Sequence, residues 1–95
     1  MATFLMFGSY TDQALKGVSA DRTEKATKLV KKAGGSVKAV YALLGEHDLV
    51  LIVDLPGVES AMQVSLALHR LTGIGFSTAP ALEVKEFDRL AAKKK

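Results

Sequence analysis

Leu49-Val50-Leu51-Ile52-Val53 is an unbroken apolar run set between the polar turn Gly45-Glu46-His47-Asp48 and the turn Asp54-Leu55-Pro56-Gly57. Its length and β-branched content predict a strand with apolar side chains on both faces. A domain of 95 residues usually has two layers, one face of its sheet meeting helices and the other meeting water. A strand apolar on both faces therefore needs a second cover, and the simplest cover is another copy of the same chain.

Composition narrows the classes that remain. The chain is long enough for one domain with a modest core, expected over residues 1–92, followed by a basic tail at 93–95. It has no cysteine, which removes disulfide frameworks, thiol nucleophiles and cysteine metal sites together. That fits a reducing compartment, and a cytoplasmic location is expected. Met1–Phe7 lacks the basic leader and cleavage site of a secretory signal, and no apolar run approaches the roughly 18 residues of a membrane span. The excess of 13 Lys and Arg over 10 Asp and Glu is supplied entirely by Lys93, Lys94 and Lys95. The body of the domain is formally neutral and shows no basic patch interleaved with aromatics, so neither nucleic acid nor membrane is expected as a partner.

Along the chain, uncharged Ala2–Gly8 predicts a first strand, and Thr11 can cap a short helical turn reaching Lys16. Ser19 is a second cap, opening a helix over Ala20–Ala33 with Thr23, Ala26, Leu29, Val30 and Ala33 on one face and charges on the other. Gly34-Gly35 should end it with a left-handed cap. Ser36–Leu44 reads as a second strand, joined by the Gly45–His47 turn to the apolar third. A second long helix over about Val58–Leu71 follows, with Ala61, Met62, Val64, Leu68 and Leu71 as its apolar face. Phe76–Phe87 then reads as an extended segment interrupted by Pro80, with a short helical turn near Asp88–Ala92. The order β-α-β-β-α-β is that of an α+β, ferredoxin-like split βαβ fold, whose four-stranded antiparallel sheet runs 4-1-3-2. The two strands expected at its centre are the most uniformly apolar in the chain.

The polar residues that can carry chemistry are few. Ser65 falls inside the apolar face of the second long helix and His69 lies one turn further on. Together they present either a hydroxyl and imidazole lining a pocket, or a serine bonded back to the Ala61 carbonyl beside a boundary histidine. No acidic residue stands in a spacing that would complete a triad. Asp48 can accept hydrogen bonds from turn amides or project towards a ligand at the sheet end, and His47 beside it can act as acid, base or ligand. Tyr41 in the second strand lines either an interior cavity or a subunit interface. Two histidines without cysteine give no metal-ligand spacing, so neither metal nor cofactor is expected.

With Gly45-x-x-Asp48 followed by the apolar run, Tyr10-Thr11, Gly17-Val18-Ser19-Ala20-Asp21-Arg22, Gly34-Gly35, Tyr41-Ala42-Leu43-Leu44 and Leu71-Thr72-Gly73, the chain resembles the GYD domain family over nearly its whole length. The namesake tyrosine of that family is replaced here by His47. The resemblance implies a dimeric α+β barrel, in which two ferredoxin-like sheets pack face to face. The hairpin is also similar to the ligand-binding module of the leucine-responsive, feast/famine regulators, which offers Gly45 and Asp48 as binding positions, with His47 as the variant at the tyrosine position. Two functions follow as expectations. One is a homo-oligomeric module binding a small metabolite near a subunit interface, with Tyr41, Gly45, His47, Asp48, Ser65 and His69 as site candidates. The alternative is a cofactor-independent monooxygenase or isomerase working in a cavity between sheet and helices.

Overall fold

In the computed structural model, which describes residues 1–92, four strands form one antiparallel sheet. The elements in chain order are β1 (Ala2–Ser9), α1 (Asp12–Lys16), α2 (Ala20–Lys32), β2 (Ser36–Ala42), β3 (Leu49–Leu55), α3 (Val58–Thr72), β4 (Gly75–Ala81) and α4 (Val84–Ala92). The sheet order is β2-β3-β1-β4, with β1 and β3 central as their apolar character requires. This is the ferredoxin-like α+β arrangement, extended by α1 and α4. The Lys93–Lys95 tail lies outside the described residues.

Local chemistry sets the helix ends. The Ala14 amide donates to Thr11 Oγ1 at 3.0 Å, and the Arg22 amide to Ser19 Oγ at 3.0 Å, so both expected caps form. Gly34 adopts φ +89°, and the Gly34 and Gly35 amides donate back to Lys31 and Val30 carbonyls. This pair of bonds is the Schellman arrangement, which satisfies helix carbonyls that would otherwise be orphaned.

Strand register divides the sheet into two faces. Phe4 pairs with Val53 and Met6 with Leu51, and these side chains meet Val30 of α2 and Ala61, Val64 and Leu68 of α3 in one buried core. Each such side chain contributes about 1.5–3 kcal/mol by leaving water. The residues between them point the other way. Leu5 pairs with Ile52, Phe7 with Val50, and Tyr41 of β2 faces Val50 from the far side. This second face is apolar, as the run in β3 predicts, while α2 and α3 lie opposite it. One end of it is closed by a polar chain across three strands. There Thr3 Oγ1 donates to Asp54 Oδ1 at 2.7 Å, and Lys38 Nζ lies 3.7 Å from Asp54 Oδ2.

Several boundaries differ from the sequence expectation. The second strand stops at Ala42, and the last strand ends at Ala81. Val84–Phe87 are helical, so α4 begins well before Asp88. Its apolar residues Val84, Phe87 and Leu90 recur at helical spacing, and none of its residues is buried. On α3 only Ala61, Val64 and Leu68 are buried, whereas Met62 and Leu71 are exposed. The edge strands carry irregularities: β2 shifts register between Val37 and Ala39, and β4 places Pro80 opposite Phe4. The radius of gyration, 14.5 Å, exceeds the roughly 12 Å of a compact domain of this length, in keeping with an α4 that buries nothing.

Candidate functional site

The β2–β3 hairpin is built from its backbone outwards. Gly45 sits at φ +145°, a region L side chains rarely adopt, and nothing within 4 Å would meet a Cβ there. Glycine is thus required by conformation and not by space. The Leu43 amide donates to the Asp48 carbonyl at 2.8 Å, and the Asp48 amide donates to the Gly8 carbonyl at 2.8 Å. The Asp48 carboxylate then accepts the Tyr10 amide through Oδ2 at 2.8 Å. Asp48 therefore fastens the hairpin to the exit of β1. The expected bond from an amide of its own turn becomes a bond across to another element, leaving Oδ1 without a hydrogen bond among the described residues.

His47 lies over the open face of the sheet. Its ring packs 4.9 Å from that of Phe7, centroid to centroid. Nε2 is 3.4 Å from Glu46 Oε1. Nδ1 is shielded from solvent and has no hydrogen-bond partner among the described residues. Tyr41, more than half exposed, stands on the same face. The structure thus overturns the interior-cavity reading of Tyr41, because its register with Val50 turns it away from the helices. Gly45, His47, Asp48 and Tyr41 form one end of the open sheet face.

Ser65 and His69 do not join them. His69 Nδ1 is 2.9 Å from the Ile74 carbonyl; a carbonyl only accepts, so Nδ1 carries the proton and the ring closes the end of α3. Ser65 lies on α3 beside a different pocket, about 180 Å³, which it lines with Phe4, Phe76 and Thr78. The hydroxyls that bond back to helix carbonyls are Thr23, Thr27 and Thr72, and Ser65 is not among them. Across that pocket Thr78 Oγ1 is shielded from solvent with no partner among the described residues. The serine–histidine pair is consequently split between separate surfaces, on the opposite side of the sheet from Tyr41. Among the described residues no group of three or more His, Cys, Asp or Glu could hold a metal ion.

A cavity of about 60 Å³ does lie between α2, α3 and the sheet, but other residues line it. Its walls include Val40, Leu51, Leu68 and Ile74, with Tyr10, Arg22, Thr23 and Thr27 as polar members. Arg22 Nη1 donates to the Ala14 carbonyl at 2.6 Å and lies 3.5 Å from the Thr72 carbonyl. The signal for Arg22 was present in the sequence. Counting along α2, it shares the stripe of Ala26, Leu29, Val30 and Ala33, where a charge is out of place.

An antiparallel four-stranded sheet with two helices on one face and a capped β2–β3 hairpin defines a ferredoxin-like α+β module. The chain belongs to the GYD domain family, whose family model matches residues 4–91. No curated protein matches it in sequence. In fold it is similar to the leucine response regulatory protein of Mycobacterium tuberculosis, at 11% identity and a TM-score of 0.62, over 86% of this chain and 51% of that one. A second solved chain, a point mutant, is similar at 13% identity and a TM-score of 0.61, over 86% and 50% of the two chains. The protein therefore spans about half the length of these structural relatives. Among the described residues no helix is long and apolar enough to cross a membrane.

Proposed function

We propose that the protein is a homo-oligomeric module of the cytoplasm that binds a small metabolite at or near a subunit interface, with two sheets packed face to face as a dimeric α+β barrel. The open sheet face carries this reading. Half-buried Leu5, Phe7 and Ile52 present apolar side chains away from the helices around a buried Val50, framed by Thr3–Asp54–Lys38 at one end and by the hairpin at the other. An apolar centre with a polar rim is the anatomy of a protein–protein contact. A second copy supplies a matching apolar sheet, and its two-fold symmetry requires no other surface. The exposed apolar side of α4 offers further area for the same contact. The metabolite is assigned to the hairpin end, where Asp48 Oδ1 and His47 Nδ1 have no hydrogen-bond partner among the described residues. The fold likeness to a leucine response regulatory protein supports a small-molecule role by analogy.

The enzymatic alternative needs a group that takes or gives a proton inside a cavity between sheet and helices. The cavity found there is lined by no Asp, Glu, His or Lys among the described residues, so the alternative would rest on the Tyr10 phenol.

Native mass spectrometry of protein taken from its source cells tests the proposal. An oligomer carrying a reproducible extra mass is expected, and a bare monomer would refute it. Ile52→Asp should yield monomer or insoluble protein, whereas Asp48→Asn should release the extra mass and leave the oligomer intact.

A further inference from the structure

We propose that the cavity beneath the first turns of α2 is a second binding site, for a short aliphatic carboxylate whose charged end pairs with Arg22 while its hydrocarbon end fills the apolar interior. The guanidinium is the observation that points there. It has five N–H donors in a rigid fork, and among the described residues only Nη1 finds acceptors, the carbonyls of Ala14 and Thr72. No carboxylate of the described residues lies within ion-pair distance of it. The two carbonyls hold Nη1, so the Nε and Nη2 edge is left for a planar, two-oxygen acceptor. Its position depends on Gly17, where a Cβ would stand 2.9 Å from Nη1.

The cavity that Arg22 lines selects the rest of the ligand. It measures about 60 Å³, room for roughly four to six water-sized positions. That is on the scale of a small carboxylic acid such as isobutyrate. Its deep walls, Leu51, Leu68 and Ile74, are buried aliphatic side chains with no hydrogen-bonding group to offer. Of the polar members, Thr23 and Thr27 lie on α2 with the guanidinium, Ser19 caps that helix, and Tyr10 and Thr72 come from the end of β1 and from α3. Residues 45–48 are not among its lining residues, and the two sites meet at Leu49 and at Tyr10, whose amide Asp48 holds.

Isotope-edited NMR titration of the full chain with isobutyrate, and separately with the isosteric neutral isobutyramide, tests it. Isobutyrate should shift the Arg22 side chain with Thr23, Ala26, Leu51 and Ile74, and bind at least about tenfold more tightly than the amide. Arg22→Gln should abolish that preference. Ala26→Leu, which fills the cavity, should block both compounds while the oligomer and the hairpin resonances stay unchanged. Equal affinity for acid and amide in the unaltered protein would overturn the assignment, and this comparison stands even if Arg22→Gln fails to fold. Shifts confined to residues 45–48 would equally overturn it while leaving the hairpin proposal standing.

Discussion

Replacing Thr78 by valine should stabilise the protein. Thr78 lies on β4 opposite Met6, on the helix side of the sheet, and its Oγ1 is shielded from solvent without a partner among the described residues. Leaving such a hydroxyl dry and unpaired costs about 1–3 kcal/mol. Valine keeps the β-branched shape and the strand preference, so the substitution removes the penalty and little else. A gain of about 1–2 kcal/mol is expected, which for a chain of this size raises Tm by roughly 4–8 °C per kcal/mol. Urea unfolding followed by circular dichroism, repeated at two protein concentrations, separates this effect from any shift in assembly. A destabilised Thr78→Val would refute the reasoning, because it would mean that the hydroxyl is hydrogen-bonded in solution. Ser65 lines the same pocket and is a candidate partner. Combining Thr78→Val with Ser65→Ala settles that case, since the two changes add if their hydroxyls do not interact.

Asp48→Ala removes the acceptor that holds the Tyr10 amide and should cost about 1.5–3 kcal/mol, read as a lower urea midpoint at unchanged m-value. Gly8→Ala builds a Cβ 2.3 Å from Leu49 Cδ2, and overpacking at this central position should cost about 1–3 kcal/mol in the same assay. Phe87→Ser on α4 should alter monomer stability by less than about 0.5 kcal/mol, since Phe87 is 62% exposed. The same variant should weaken self-association measured by light scattering, and unchanged association would exclude α4 from the contact.

Much of the fold was legible because independent signals agreed. The apolar run in β3, the caps at Thr11 and Ser19 and the double glycine after α2 each specify one local conformation, and the sheet order follows from them. The start of α4 was hidden because Leu82-Glu83-Val84-Lys85-Glu86-Phe87 alternates at first like a strand. The helical spacing of Val84, Phe87 and Leu90 shows only once the whole segment is counted. The candidate site divides in the same way. Gly45, His47, Asp48 and Tyr41 belong together because one hairpin carries them, a local fact that sequence order contains. Ser65 and His69 are one helical turn apart, yet one lies beside β4 and the other closes the helix on Ile74. Which neighbour each side chain meets depends on how α3 rolls against the sheet, and no local pattern encodes that roll.

The irregular outer strands decide how this sheet can grow. A strand at the margin of a sheet offers unpaired amides and carbonyls to any passing chain, the route by which β-rich proteins lengthen into fibrils. Here one margin is broken by the register shift at Val37–Ala39, and the other lacks an amide at Pro80. Lateral templating is blunted on both sides, while the apolar face between them is left uncovered by α2 and α3. A crowded solution of this protein should therefore stack its copies in closed pairs and resist amyloid-like elongation, so that its stickiest surface leads to a finite assembly.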